Sequence, residues 1–180
     1  MHCFTREKGA LLVIDVQERL AAAMPDARMQ RVEARVCAAL DGARALGLPV
    51  AATEQYPKGL GPTLARVAAK LGGAAPVEKV EFSALLPEVR ARLAGRTDVL
   101  VVGMETHVCV FQTVRALKEA GLSPYVAVDA VLSRTELDYQ LGLELCRQAG
   151  AQVTSVEAAL FDALGGAGGP AFKAVSAAVK

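Results

Sequence analysis

The 180-residue chain reads as an α/β protein, a three-layer α/β/α sandwich around a central, mainly parallel sheet. Two observations carry that reading. Runs of consecutive apolar, largely β-branched residues, such as Leu11-Leu-Val-Ile14 and Val99-Leu-Val-Val102, fit strands buried on both faces. Between them lie longer stretches with apolar residues at helical spacing, most of them closed by glycine. Strands alternating with helices imply right-handed crossovers, and hence a parallel sheet covered on both faces.

The first strand spans Ala10 to Val16. Pro25 sits where a helix can begin, and Met29, Val32, Val36, Ala39, Leu40 and Ala43 recur at helical spacing until Gly47. Pro49 to Thr53 is a second strand, followed by a polar loop, Glu54 to Pro62, rich in turn-forming residues. A weaker helix over Thr63 to Leu71 stops at Gly72 and Gly73. Pro76 to Glu81 is a short extended piece, and Pro87 to Ala94 a helix ended by Gly95. Asp98 to Gly103 is a strong strand that leads directly into a helix over Thr106 to Ala120, stopped at Gly121. Leu122 to Val128, Thr135 to Ala149 and Ala151 to Val156 continue the alternation as strand, helix and strand.

Residues 1–164 are expected to form one domain. Residues 165–180 read as a flexible Gly-rich connector, Gly165 to Pro170, and a last short helix packed on the domain or on a partner subunit. The segment Ala171 to Val179, apolar on one side, is a candidate interface of a homo-oligomer.

Lys and Arg number 20 and Asp and Glu 19, a formal net charge of +1 with no long block of either sign. Nucleic acid is therefore not an expected partner, because phosphate contacts need concentrated positive charge. Hydrophobic residues make up 53% and charged residues 22%, the latter spread along the chain. No uncharged apolar run approaches the ~18 residues of a spanning helix. The N-terminal residues lack the apolar core of a signal peptide. A cytoplasmic protein with no membrane partner is expected. Cys3, Cys37, Cys109 and Cys146 form no C-x-x-C pair, which argues against a disulfide framework and a structural zinc site.

Ligands of open parallel sheets sit beyond the carboxyl ends of the strands. Three reactive residues map there: Asp15, Lys79 and Cys109. A carboxylate among Val13, Ile14 and Val16 loses hydration unless it is paired; the plainer alternative is a capping residue for the next turn. Lys79 alone is indistinguishable from a surface lysine between Glu78 and Glu81. Cys109 is either a small buried hydrophobe or, if Thr106 caps the helix, a first-turn thiol whose ionisation the helix dipole favours. On the second reading its pKa is expected to be lowered. His107, two positions away on a helix, points elsewhere.

Three segments together resemble the isochorismatase-like cysteine hydrolases: Leu12-Val-Ile-Asp15-Val-Gln17, Glu78-Lys79-Val-Glu-Phe82-Ser83 and Gly103-Met-Glu-Thr106-His-Val-Cys109-Val. The loop from Thr53 to Gly61 and the stretch Asp129 to Arg134 are similar to the isochorismatase domain-containing branch. The resemblance implies a Rossmann-like fold, a Cys-Asp-Lys triad of Cys109, Asp15 and Lys79 hydrolysing a small amide, imide or related electrophile, and no cofactor. It also implies a cis peptide at Met104–Glu105 that turns the N–H groups of Glu105 and Cys109 toward an oxyanion. Gln17, Glu54, Gln55, Tyr56 and Phe82 are the expected substrate contacts. Nicotinamidase relatives carry an Asp-x-His metal pair where this chain has Gln55 and Pro57, and its histidines are His2 and His107, so no metal is expected. The alternative is a non-catalytic binding or assembly protein that keeps the fold.

Overall fold

The computed structural model describes residues 3–93 and 95–180; Met1, His2 and the expected helix end at Ala94 lie outside the described residues. Among these, six strands form one sheet: β1 (Gly9–Ile14), β2 (Val50–Gln55), β3 (Val77–Lys79), β4 (Asp98–Met104), β5 (Ser123–Leu132) and β6 (Gln152–Thr154). Their order is β3-β2-β1-β4-β5-β6, and every neighbouring pair is parallel. The helices are α1 (Glu18–Ala22), α2 (Asp26–Leu46), α3 (Pro57–Leu60), α4 (Ala65–Ala68), α5 (Pro87–Arg92), α6 (Phe111–Glu119), α7 (Glu136–Gln148), α8 (Val156–Leu164) and α9 (Phe172–Ala178).

Strand β1 is buried along its whole length, and its alternation divides the core. Leu11 and Val13 join one apolar cluster with α2 and α8, while Leu12 and Ile14 join another with α5, α6 and α7. Side chains of a strand point alternately to opposite faces, so one run of apolar residues supplies both cores. The three-layer sandwich is therefore the observed architecture.

The chain winds outward from β1 to β2 and β3, then crosses back to β4 on the other side of β1. The connections leaving β1 and β4 consequently diverge, opening a crevice at the carboxyl ends of these neighbouring strands. Asp15 follows β1, and Cys109 lies on a π-helical turn, Thr106–Val110, that follows β4. Two glycines permit this close assembly. Gly103, at φ +119°, would place a Cβ 1.9 Å from the carbonyl oxygen of Ile14. On α7, a Cβ at Gly142 would lie 2.6 Å from the backbone nitrogen of His107. Gly142→Ala should thus force α7 off the turn that carries Cys109, at a cost of about 1–3 kcal/mol by overpacking. Urea denaturation measures it, and an unchanged midpoint would refute the tight contact.

The structure departs from the sequence reading in several places. Residues 156–164 form α8, capped by the Ser155 hydroxyl, which accepts from the Ala158 N–H at 3.1 Å. No helix is expected there from the sequence, which reads only a strand ending at Val156. Strand β5 continues to Leu132 through an irregularity in its pairing with β4, with Asp129 turned to accept from the Val156 N–H at 2.9 Å. Thr106 is no helix cap: Glu105 holds the cap position, and the Thr106 hydroxyl is buried without a hydrogen-bond partner among the described residues. Val175 of α9 and Val179, which follows it, pack into the α2 cluster.

Candidate active site

Strand β1 ends by bending at Asp15, whose φ of +51° is left-handed. Residues other than glycine pay for that region unless their surroundings hold them there, and Asp tolerates it better than most. The Asp15 N–H donates to the Thr53 carbonyl at 3.2 Å, and the Gln17 N–H donates to the Asp15 carbonyl at 2.9 Å. Parallel pairing sets Ile14 beside Thr53. The Thr53 hydroxyl thereby reaches Asp15 and donates to Oδ1 at 2.7 Å.

Lys79 closes the short edge strand β3. Its side chain and that of Asp15 are fully buried, with Nζ 2.7 Å from Asp15 Oδ2. The ammonium also donates to Gln55 Oε1 at 2.6 Å and to the carbonyls of Glu81 and Phe82 at 3.1 and 3.2 Å. Cys109 Sγ lies 3.8 Å from the same nitrogen. Burial of such charges is tolerated only with this degree of pairing. The Cys109 thiol also interacts with the Asp15 carboxylate.

The nucleophile turn is fastened from several sides. Thr113 donates its hydroxyl proton to the Cys109 carbonyl at 2.6 Å and accepts from the Ala84 N–H at 2.8 Å, joining the turn to the segment after Lys79. The Met104–Glu105 peptide is cis. The Glu105 carboxylate accepts from Arg134 Nε at 2.9 Å and from the Arg134 N–H at 3.3 Å. His107 Nδ1 is 3.0 Å from the Ser133 hydroxyl, turned away from the thiol.

Burial dominates the protonation of both acids. It raises Asp15 above the ordinary carboxyl range, opposed by the charge of Lys79 and by hydrogen bonds from Lys79, Thr53 and Cys109. Burial, with the Asp15 charge second, pushes the Cys109 thiol up to about 12, and Lys79 offsets only part of this. The lowered thiol pKa expected from the sequence is thus corrected. A helix end offers an exposed charge only ~0.3–1 kcal/mol, whereas Cys109 is 6% exposed and faces a carboxylate.

The expected substrate contacts divide. Tyr56 lines a cavity of about 400 Å³ together with Pro57, Lys58, Glu78, Lys79, Val80 and Glu81. Phe82 is half exposed and approaches Lys79 through its carbonyl. Gln55 holds Lys79 and donates to the Val80 carbonyl at 2.9 Å. Glu54 is turned instead to Thr63, whose N–H and hydroxyl both donate to its Oε1 at 2.6 Å. Gln17 is fully buried. Its amide donates to the carbonyls of Gln55 and Gly61 at 3.0 and 2.7 Å and accepts from the Gln55 N–H at 2.7 Å, so it fastens the loop rather than facing a substrate. Thr53, Thr113 and Gly142 were invisible as site residues in the sequence, because their roles arise from strand register and helix packing.

A model of the isochorismatase domain matches residues 9–158. The chain belongs to the isochorismatase domain family. The secreted isochorismatase effector Isc1 of Phytophthora sojae is 40% identical over 148 residues, 78% of this chain and 70% of the relative. Isochorismatase domain-containing protein 2 of Bos taurus is 36% identical over 173 residues, 94% of this chain and 82% of the relative. Among solved structures, the MAR1 ribonuclease of Caenorhabditis elegans matches with a TM-score of 0.93 at 36% identity, over 99% of this chain and 92% of that one. In this isochorismatase domain, no group of three or more His, Cys, Asp or Glu side chains among the described residues is gathered to hold a metal ion. No helix among them is long and apolar enough to cross a membrane.

Proposed function

We propose that this isochorismatase domain is a metal-free cysteine hydrolase acting on a small amide, imide or related electrophile, with Cys109 as nucleophile, Asp15 as proton acceptor and Lys79 as the cation beside both. The observation that supports it most is the contact of a thiol with both members of a fully buried ion pair. A purely structural pair has no need of that third partner. Clusters of buried groups with shifted protonation at a strand-end crevice are the usual mark of a working site.

Asp15 Oδ2 takes the thiol proton as Sγ attacks the carbonyl carbon. The N–H groups of Glu105 and Cys109 are assigned to the resulting oxyanion. Its collapse breaks the C–N bond, and the departing amine takes the proton from Asp15. Water then attacks the thioester, passing a proton to Asp15, which returns it to the leaving sulfur. Tyr56 and Phe82 border the entrance, and Gln55 acts through Lys79. Gln55 and Pro57 supply no ligands of the Asp-x-His kind, which supports chemistry carried by the protein's own side chains.

The test is a screen of small amides and imides with wild type and Cys109→Ala, coupled to mass spectrometry of acid-quenched protein. Wild type should turn over a member of the set and carry an acyl adduct on Cys109; the variant should do neither. Turnover at the wild-type rate by Cys109→Ala would sink the reading. Because the C. elegans relative is described as a ribonuclease, RNA is included as a substrate. Self-association and a cytoplasmic setting that keeps the thiol reduced belong to the same proposal. Leu137 and Leu141, one turn apart on α7, are 76% and 49% exposed and offer an apolar contact for a two-fold assembly.

A further inference from the structure

A cavity of about 620 Å³ lies between α2, α4, β5 and the end of α9. Its size falls within the ~300–1,000 Å³ of small-molecule sites. Arg28, Arg31, Arg35, Arg66 and Lys180 line it against a single acidic side chain, Asp129. The whole chain carries a formal charge of +1, so the concentration of positive charge here is created by the fold. Arg28, Arg31 and Arg35 share one side of α2 because residues three, four and seven apart line up along a helix. Arg66 comes from α4.

These cations differ in how far they are already matched. Arg28 pairs with Glu136 and lies 4.6 Å from the centre of the Tyr139 ring. Arg35 lies 3.6 Å from the Asp129 carboxylate and donates to the Val179 carbonyl at 2.8 Å. Both are thereby held in place. Arg31 and Arg66 are exposed and enter no ion pair or side-chain hydrogen bond among the described residues. Two guanidinium groups thus face the cavity without a counter-charge, next to apolar surface from Ala34, Val128 and Ala178.

We infer that this cavity binds a small phosphomonoester carrying an apolar body. The planar fork of arginine accommodates two phosphate oxygens at once, and a pair of unmatched guanidiniums balances a dianion. The apolar wall takes the rest of the ligand. Cys109, Asp15 and Lys79 are not among its lining residues, and the inference stands independently of the hydrolase reading.

Calorimetric titration of the full chain with phenyl phosphate, inorganic phosphate and phenol tests this. Phenyl phosphate should bind once per chain, more tightly than inorganic phosphate, with phenol silent. Affinity should fall as salt rises past about 0.1 M, where the screening length is ~10 Å. Arg31→Ala/Arg66→Ala should weaken binding at least about tenfold, because both charge and bidentate geometry are lost. Both residues are exposed, so the fold should persist; Arg31→Gln/Arg66→Gln, which keeps the side-chain length, should show the same loss. Cys109→Ala and Lys58→Ala should bind as wild type does. Absence of binding at millimolar phenyl phosphate, wild-type affinity in both double variants, or loss of binding in Lys58→Ala would each overturn the assignment, the last by moving the anion to the cavity beside Lys79.

Discussion

Asp15→Asn is expected to move two readouts in opposite directions: turnover should fall by about 10²–10⁴-fold, while alkylation of Cys109 at neutral pH should become faster. The first follows from loss of a positioned proton acceptor. The second follows because the Asp15 charge and its hydrogen bond both raise the thiol pKa, and their removal leaves Lys79 unopposed. Asparagine tolerates the left-handed backbone at this position and keeps an oxygen for the Thr53 hydroxyl, so charge is the main variable. Slowing of both reactions together would mean that Asp15 merely supports the fold. Stability offers a further check of sign. The folded carboxyl holds its proton to higher pH than the unfolded one, so wild-type stability should fall as pH rises from the ordinary carboxyl range through the raised folded value. That slope should be absent in the variant.

Lys79→Met should be the most destabilising of the single substitutions at the site. Removing one partner of a fully buried pair strands the other, at a cost of about 3–5 kcal/mol. Guanidinium denaturation measures the loss, and Asp15→Leu/Lys79→Met should recover much of it, because no unpaired charge remains. Lys79 lowers the thiol pKa in the native site. With Cys3, Cys37 and Cys146 replaced, the alkylation profile of Cys109 should therefore shift to higher pH in Lys79→Met. Superimposable profiles would remove Lys79 from the mechanism.

Much of this arrangement is legible in the sequence, for identifiable reasons. Buried parallel strands announce themselves as apolar runs, which locates Asp15 at the end of β1 and Cys109 beyond β4. Lys79 becomes significant only through its motif, because composition alone cannot distinguish it from a solvated lysine. Helix α8 goes unread in the sequence although Ser155 and Gly165 flank it as caps, because it follows directly on the short strand that ends beside it. Asp129 resembles a turn residue and hid the far half of β5, since its partner at the start of α8 is distant in sequence. The thiol pKa was misjudged because the dipole of a helix can be inferred locally, whereas burial and the approach of Asp15 belong to the assembled fold.

The divided winding of the sheet has a consequence for how such a protein can diversify. Asp15 and the Cys109 turn hang from the two central strands, where packing on both faces penalises almost any change. The walls of the neighbouring cavity come from the surface segments after β2 and around β3, at the margin. Loops tolerate replacement far better than core strands do. Tyr56, Lys58, Val80 and Glu81 can therefore vary without disturbing the reacting groups. New preferences are open to descendants of this chain through its periphery, while the chemistry is inherited intact from its centre.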